Sequence, residues 1–183
     1  MGNLFVISGS SGVGKGTVIN EFLRRHPEFK LSISCTTRNI REGEIDGVNY
    51  FFLSKEEFKN CIDNNEFLEW AEFSGNCYGT KKEFVKKCLS KGENLILEID
   101  TKGALNVKKI MPEATLIFIA PPSFEELEAR LRGRHTETEE AIQKRLASIK
   151  SEIENSKHYD YVVINDTVEN AVQKIEEITA VKG

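Results

Sequence analysis

The sequence has little of what marks specialised protein classes. Its 183 residues include only 4 Cys, 4 Pro, 1 Trp and 3 His, too few for a disulfide-stapled, collagen-like or proline-rich chain. The cysteines, at positions 35, 61, 77 and 88, form no CxxC pair. We therefore expect reduced thiols rather than disulfides or a structural zinc site.

Long apolar runs and an excess of positive charge are also missing. The longest apolar runs, residues 95–99 and 114–122, are much shorter than the roughly 20 residues that cross a bilayer. The N-terminus lacks the charged and apolar regions of a signal peptide, so we expect a cytoplasmic protein without membrane contact. A formal net charge of −4 disfavours a nucleic-acid partner, whose phosphates require clustered Lys and Arg.

What the chain does have is the pattern of one α/β domain. Nearly continuous apolar runs, typical of parallel strands buried on both faces, occur at residues 4–8, 95–99, 116–120 and 161–164, with a less regular strand candidate at 31–35. Helical spacing separates most of these runs, beginning with residues 17–25. Helix starts with a capping-box pattern are Ser54 with Glu57, Thr80 with Glu83 and Ser123 with Glu126. The alternation predicts a parallel sheet flanked by helices.

Two segments interrupt this alternation. Residues 36–79 are rich in aromatic and turn residues and predict a small α+β insert. Residues 124–159 are a long, charged helical stretch interrupted at Gly133 and predict a mobile lid. The remaining segments are assigned to the core of the same domain: residues 1–35, 80–123 and 160–183.

Residues 9–17, with the sequence GSSGVGKGT, fit the start of the phosphate-binding P-loop pattern GxxxxGK and lie between the first strand and the first helix. Glycines let successive backbone amides converge on phosphate oxygens, and Lys15 can reach the β and γ phosphates. The alternative, a solvated Gly/Ser-rich turn, explains the register of the glycines and Lys15 poorly. The predicted ATP-binding residues here are Gly9, Ser10, Ser11, Gly12, Val13, Gly14, Lys15, Gly16 and Thr17.

The loop departs from the usual pattern at Gly16, where most P-loops have the Ser or Thr that binds Mg²⁺ directly. Thr17 comes one position later, and its hydroxyl is expected to contact a phosphate. We expect the nucleotide and water to hold the Mg²⁺, with no direct ligand from the protein. Asp100, after the strand at residues 95–99, is either a carboxylate that acts on this metal through water or a helix cap without a chemical role.

A second segment is more specific than the phosphate loop. Residues 34–52, SCTTRNIREGEIDGVNYFF, closely resemble the phosphate-acceptor segment of guanylate kinases, S-x-T-T-R-x-x-R-x-G-E-x-x-G-x-x-Y-x-F. Further matching strings are FLEWAEFSGNCYGT from residue 67, LILEIDTKGA from 95, RLRGRHTETEEAIQKRL from 130 and VINDT from 163. The resemblance covers essentially the whole chain and implies a P-loop NTPase-type fold, with a GMP-binding insert and a helical lid. It also implies that the γ-phosphoryl group of ATP passes to GMP with Mg²⁺ as cofactor.

The acceptor phosphate has candidate ligands in the insert. By their chemistry, Arg38 and Arg41 can place two planar guanidinium forks on one phosphate, and the hydroxyls of Tyr50 and Tyr78 can complete the site. Two solvated surface arginines beside a buried tyrosine are the alternative. The resemblance implies the phosphate-binding role.

The guanine base has a candidate partner in Glu69, a carboxylate in an apolar strand that is costly to bury unless it accepts hydrogen bonds. Guanine offers two adjacent donors, N1–H and N2–H₂, whereas adenine has an acceptor at N1. The resemblance implies that Ser34 and Thr80 help Glu69 to read the base, although Thr80 also fits a helix cap. Asp100 completes the predicted GMP-binding residues.

The lid segment contains Arg130, Arg132, Arg134 and Arg145 among several glutamates. Such alternation alone is typical of an exposed helix with ion pairs. The resemblance implies that Arg134 and Arg145 contact the ATP phosphates when the lid closes, with Arg130 as a helper and Arg132 at the surface. It also implies that Asn165, after the last strand, contacts the adenine of ATP. The predicted catalytic residues are Lys15, Arg38, Arg134 and Arg145.

Two other functions compete with this one. Another nucleoside monophosphate kinase fits the GKGT string but not Glu69 or the acceptor segment. A non-catalytic guanylate-kinase-like binding module fits the fold, but such modules typically lose parts of the phosphate loop or lid that this chain retains. The expected partners are ATP and GMP, with dGMP and the choice between monomer and homodimer left open.

Overall fold

Strands and helices alternate along most of the chain. In the computed structural model, which describes residues 1–10, 12–133 and 138–180, the strands are β1 (Leu4–Gly9), β2 (Phe29–Leu31), β3 (Cys35–Thr36), β4 (Phe51–Phe52), β5 (Phe67–Phe73), β6 (Asn76–Lys81), β7 (Asn94–Glu98), β8 (Thr115–Ala120) and β9 (Tyr161–Ile164). The helices are α1 (Lys15–Arg25), α2 (Lys55–Asp63), α3 (Lys82–Ser90), α4 (Thr101–Ile110), α5 (Phe124–Gly133), α6 (Glu139–Asn155) and α7 (Val168–Ala180). A 3₁₀ turn at Ser156–His158 follows α6.

The core is a five-stranded parallel sheet in the order β2–β7–β1–β8–β9. Successive side chains of β1 point to opposite faces of the sheet. Phe5 and Ile7 pack with residues of α1 and α7, while Leu4 and Val6 pack with residues of α3 and α4. Because helices cover both faces, β1 and β8 are buried along nearly their whole length. The predicted α/β fold with a parallel core is confirmed.

Three of the predicted functional features follow strands of this sheet. The phosphate loop follows β1, Asp100 follows β7 and Asn165 follows β9. Because these strands are parallel, their carboxyl ends meet at one edge of the sheet, with β1 between β7 and β8. Open α/β sheets bind their ligands in the crevice at such an edge.

A second, four-stranded sheet in the order β4–β3–β6–β5 occupies the part of the chain where the sequence predicts an α+β insert. β3 and β4 are parallel, and β6 is antiparallel to both β3 and β5. Together with α2 this sheet has a small core of its own, formed by Cys35, Phe58, Cys61 and Phe67.

The strand predicted at residues 31–35 is wrong, because the chain changes sheets there. β2 ends at Leu31 in the core sheet, and β3 begins at Cys35 in the second sheet. Between them, the Ser32 amide donates to the Ile96 carbonyl of β7, and the Ser34 carbonyl accepts from the Phe51 amide of β4. Opposite ends of this short segment therefore pair with different sheets, which a local apolar pattern does not reveal.

The three predicted capping boxes have different outcomes. At α2 both bonds form, with Glu57 N 3.1 Å from Ser54 Oγ and Ser54 N 2.7 Å from Glu57 Oε2. At α5 the Glu126 amide donates to Ser123 Oγ. The prediction at Thr80 is wrong, because α3 begins after Lys81 without a side-chain cap, and the Thr80 hydroxyl binds a buried carboxylate instead.

The segment predicted to be a lid contains α5 and α6. Arg132, near the end of α5, pairs with Glu128 on the same helix and with Glu139 in the first turn of α6. The apolar contacts of α6 involve Ile142, Leu146, Ile149, Phe124 and Ile153. Within the described ranges, no helix combines the length and the apolar character needed to cross a membrane.

Candidate functional site

The phosphate loop owes its shape to two glycines in the left-handed region. Gly12 and Gly14 have φ angles of +80° and +86°, which residues with a Cβ adopt only with strain. The Val13 amide donates to the Ser10 carbonyl at 3.2 Å and closes a turn of the loop. Helix α1 then begins at Lys15 without a side-chain cap, so the first-turn amides of α1 remain available to an anion.

Lys15 lies at the end of this loop, next to a carboxylate of the core sheet. Its Nζ is 3.8 Å from Oε1 of Glu98, the last residue of β7. Both side chains are partly exposed, at 23% and 35% respectively, so water weakens their attraction. A phosphate group can therefore replace Glu98 as the partner of Lys15 at small cost.

Glu69 is a buried carboxylate on β5 of the second sheet. It is 8% exposed and pairs in the β5–β6 register with Thr80, whose hydroxyl donates to Glu69 Oε1 at 2.7 Å. Burial raises the pKa of the Glu69 carboxyl to about 7, against the opposing effect of the Thr80 hydrogen bond, and the nearby charge of Asp100 raises it further. The ionised form thus lacks sufficient stabilisation until further donors reach it.

The first turn of α4 packs directly on this carboxylate. Asp100 is the N-cap of α4 and accepts from the Gly103 amide at 2.7 Å. A Cβ on Gly103 would lie 2.9 Å from Glu69 Oε2 and 3.3 Å from Asp100 Oδ1. Since real Cβ atoms essentially never come within 3.0 Å of such an atom, a side chain at this position would require the Glu69 carboxylate to shift.

Arg38 is held in place by a carboxylate and two aromatic rings. Its two terminal nitrogens donate to Glu44 at 3.0 and 2.7 Å, and its guanidinium carbon is 5.4 and 5.7 Å from the ring centroids of Tyr50 and Phe52. Glu44 also accepts from the backbone amide of Arg41 at 2.8 Å. The hydrogen bonds from Arg38 and, to a smaller extent, from this amide lower the pKa of the Glu44 carboxyl to about 2. The carboxylate of Glu44 therefore fixes the Arg38 guanidinium and the backbone at Arg41.

Tyr78 extends this cluster, and Ser34 lies at its border. The rings of Tyr50 and Tyr78 are 6.2 Å apart. Ser34 is in the crossing between the sheets, immediately before β3. The predicted phosphate ligands and the predicted base reader, Glu69, thus all lie in the part of the chain that forms the second sheet.

Comparison with known proteins identifies the family of this chain. The family model described as guanylate kinase matches residues 1–181. The chain belongs to the guanylate kinase family. A guanylate kinase from Prochlorococcus marinus is 51% identical over 182 residues, which cover 100% of this chain and 98% of that protein. A guanylate kinase from Bacillus cereus is 53% identical over 178 residues, which cover 97% and 87%.

Solved structures agree with this membership. The crystal structure of guanylate kinase from Anaplasma phagocytophilum superimposes with a TM-score of 0.77 and 33% sequence identity, covering 99% of this chain and 86% of that one. A shikimate kinase from Bacteroides thetaiotaomicron has a TM-score of 0.54 at 13% identity, covering 97% and 98%. The second similarity concerns the fold alone.

Within this guanylate kinase fold, some predicted site residues have positions that differ from the expectation. Asp100 caps α4, as one of its two interpretations required, while an effect on a metal stays a prediction. The amide of Asn165 binds the phosphate loop, at Val13 O, and its adenine contact also stays a prediction. Arg145 is half-buried on α6. Ser11, Arg134 and the side chain of Arg130 lie outside the described residues.

Three residues of the guanylate kinase site were not assigned a role from the sequence. Glu98 faces Lys15, Glu44 fixes Arg38, and Gly103 makes room for Glu69. Glu98 had a signal, because an acidic residue at the end of an apolar strand is unusual. Glu44 and Gly103 lie inside the matched strings, but their partners are set by the three-dimensional fold.

Proposed function

We propose that this member of the guanylate kinase family transfers the γ-phosphoryl group of ATP to GMP, giving ADP and GDP. Relatives that are 51% and 53% identical over nearly the whole chain are named guanylate kinase. The observation that carries the choice of base is the buried Glu69 carboxylate, bound by Thr80 at one oxygen.

Glu69 is suited to guanine for a chemical reason. Guanine presents N1–H and N2–H₂ side by side, and two donors are what a buried carboxylate needs to remain ionised. Adenine would place the lone pair of N1 against the same oxygens. Ser34 and Asp100 are assigned supporting positions around the base, and Thr80 orients the carboxylate.

The acceptor phosphate is assigned to Arg38, Arg41, Tyr50 and Tyr78. Arg38 is already oriented by Glu44, so little side-chain freedom remains to be lost when the phosphate binds. The phosphate of GMP is itself a nucleophilic oxyanion, so the reaction needs no dedicated general base. Catalysis then comes from alignment of the two nucleotides and from positive charge around the transferring group.

The donor phosphates are assigned to the loop amides and to Lys15, with Arg134, Arg145 and Asn165 as further ATP-binding residues. Among the residues described, no cluster of three or more His, Cys, Asp and Glu side chains could hold a metal ion. Gly16 offers no hydroxyl, but the carboxylates of Glu98 and Asp100 are hard oxygen donors suited to Mg²⁺ through water. Bound with the nucleotide, Mg²⁺ would neutralise phosphate charge.

The two additions to the core have separate roles in this proposal. We assign residues 36–79 to GMP binding and residues 124–159 to a lid over ATP, with residues 1–35, 80–123 and 160–183 as the core. The arginines of the first segment suit the acceptor phosphate, and those of the second suit the donor. Closure of both would exclude water, which otherwise competes with GMP as phosphoryl acceptor.

The proposal is tested by a coupled assay for ADP with ATP as donor and GMP, dGMP, AMP, UMP or CMP as acceptor. We expect turnover with GMP at least ~10²-fold above that with AMP, UMP or CMP, and a loss of at least ~10³-fold in Lys15→Ala. Efficient turnover of AMP or a pyrimidine nucleotide would favour another monophosphate kinase. A folded protein that binds GMP but turns over none of the acceptors would favour the non-catalytic module.

A further inference from the structure

Asn165 connects the last strand of the core to the phosphate loop. It follows β9, is 8% exposed, and its backbone amide donates to the Ala120 carbonyl at 2.9 Å. Its side-chain Nδ2 donates to the Val13 carbonyl at 2.7 Å. A residue fixed by its backbone to β8 therefore holds one peptide group of the loop.

The peptide group that Asn165 holds is the one before Gly14. In a planar trans peptide, the carbonyl of Val13 and the N–H of Gly14 point in opposite directions. The hydrogen bond to Asn165 thus also fixes the direction of the Gly14 N–H, away from Asn165. Gly14 has a φ of +86°, and a Cβ there would lie 3.0 Å from Asn165 Nδ2.

We propose that Asn165 is a positioning residue of the phosphate loop, which holds the Val13–Gly14 peptide so that the Gly14 N–H is directed at a bound phosphate. The inference rests on the proposed function, since it takes the triphosphate of ATP as the ligand of the loop. It requires no contact between Asn165 and adenine. Its physical basis is preorganisation, because an oriented amide binds an anion without losing backbone freedom on binding.

A contact of Asn165 with adenine and positioning of the phosphate loop by Asn165 would affect different parts of the ligand. Loss of a contact with adenine weakens ATP binding and leaves binding of inorganic tripolyphosphate unchanged. Loss of loop positioning weakens both ligands by the same factor, because both are held through phosphates. Neither effect extends to GMP, whose proposed site is in the second sheet.

The test measures the affinities of ATP, tripolyphosphate and GMP by calorimetry for the parent, Asn165→Ala and Asn165→Leu. Leucine keeps the branching of asparagine at Cγ but has no donor, so both variants lose the hydrogen bond. We expect ATP and tripolyphosphate to bind about 5- to 50-fold more weakly to both variants, with GMP affinity within about twofold of the parent. The matched control is Asn170→Leu, at an exposed amide that binds Asp166 on the other side of the same turn; it should keep all three affinities.

Three results would overturn the inference. Parent-like affinity for tripolyphosphate with weakened ATP binding would assign Asn165 to adenine instead. Parent-like affinities in Asn165→Leu but not in Asn165→Ala would assign it to packing. If the parent itself binds neither ATP nor tripolyphosphate, the proposed ATP site fails, and the inference fails with it.

A measurement on the parent protein alone remains decisive if both variants fail to fold. The side-chain amide protons of Asn165 should exchange with solvent at least about tenfold more slowly than those of the exposed Asn170, because the former are buried and hydrogen-bonded. Equal exchange rates for the two amides would overturn the hydrogen bond on which the inference depends.

Discussion

At the scale of single residues, the burial of Glu69 opposes the ionised state that its proposed function requires. Its carboxyl has a pKa of about 7 in the nucleotide-free protein, raised by burial, but guanine requires the ionised form. GMP binding must therefore remove a proton whenever the pH is below 7. We expect the KM for GMP to rise about tenfold between pH 8 and pH 6, with a smaller change in the KM for ATP.

This pH dependence is checked against Glu69→Gln, which has no proton to lose at this position. The second ionisation of the GMP phosphate affects parent and variant alike, so the difference between their profiles isolates Glu69. Identical profiles would show that Glu69 does not titrate against the base. Activity of the variant with GMP at pH 8 should be about 10 to 10³-fold lower, because an amide N–H₂ meets a guanine donor.

The same substitution should stabilise the free protein at neutral and higher pH. Because the folded pKa of Glu69 is raised, the parent binds an extra proton in the folded state and loses stability as pH rises from about 4.5 to about 7. Glu69→Gln lacks this loss, so its free energy of unfolding relative to the parent should rise by about 2 to 4 kcal/mol over that range. Urea unfolding at pH 5 and pH 8 without nucleotide measures it; equal differences at the two pH values would contradict the raised pKa.

A second prediction at this scale concerns Glu44. Glu44→Gln weakens the paired contact with Arg38 and the charge-assisted contact with the Arg41 backbone amide, so the Arg38 guanidinium and the loop backbone at Arg41 become more mobile. The KM for GMP should rise about 5- to 50-fold, with the KM for ATP within about twofold. Glu42→Gln is the matched control, because Glu42 is an exposed carboxylate in the same loop. Equal effects of the two substitutions would mean that loop charge, and not the position of Arg38, is responsible.

Sequence patterns predicted two local features that the structure has: a loop shaped by its glycines before α1 and a glutamate buried in an apolar strand. The roles of Lys15 and Glu69 toward ligands stay predictions. Thr80 shows the limit of such patterns. Its spacing to Glu83 fits a capping box, but its hydroxyl binds Glu69, which lies directly opposite on the neighbouring strand. The bond to a buried carboxylate is worth more than a bond to an exposed helix amide.

At the scale of secondary structure elements, Gly103 allows the first turn of α4 to lie against the Glu69 carboxylate of β5. Gly103→Ala would favour the helical conformation of α4 by about 1 kcal/mol of free energy. The added Cβ, however, would be 2.9 Å from Glu69 Oε2. We expect the carboxylate to shift and the KM for GMP to rise at least about tenfold, while ATP binding is unchanged. Steady-state kinetics with each substrate varied in turn measure this difference.

The control for this element is Lys102→Ala, an exposed position in the same turn of α4. A double-mutant cycle with Glu69→Gln separates the direct contact from a general distortion of α4. If Gly103→Ala lowers GMP affinity equally in the presence and absence of the Glu69 carboxylate, the effect does not pass through Glu69.

Elements with a regular pattern were predictable, and those that depend on distant partners were not. The strands at the centre of the core sheet are short, nearly continuous apolar runs, and their predicted bounds differ from the observed ones by about one residue. Residues 31–35 have a less regular strand pattern, and they contain the crossing between two sheets. Which sheet each end joins is decided by Ile96 and Phe51, which lie far from this segment in the sequence.

At the scale of the whole molecule, the residues proposed to bind the two substrates belong to different parts of the fold. Arg38 lies in the connection between β3 and β4 and Glu69 lies on β5, whereas Lys15 begins α1 and Arg145 is on α6. Binding energy from each nucleotide can therefore order only the part that it contacts. We expect GMP alone to slow amide exchange in β3–β6 and a non-hydrolysable ATP analogue to slow it in α5 and α6, each by at least about threefold.

Hydrogen exchange with mass spectrometry separates these segments, with CMP in place of GMP as the matched control. CMP has a phosphate but no guanine donors for Glu69, so it should protect the second sheet less than GMP does. If GMP slowed amide exchange in α5 and α6 but not in β3–β6, the proposed assignment of segments to substrates would be reversed. Equal protection of both segments by either nucleotide would mean that the molecule closes as one unit, because each ligand would then stabilise the same conformation.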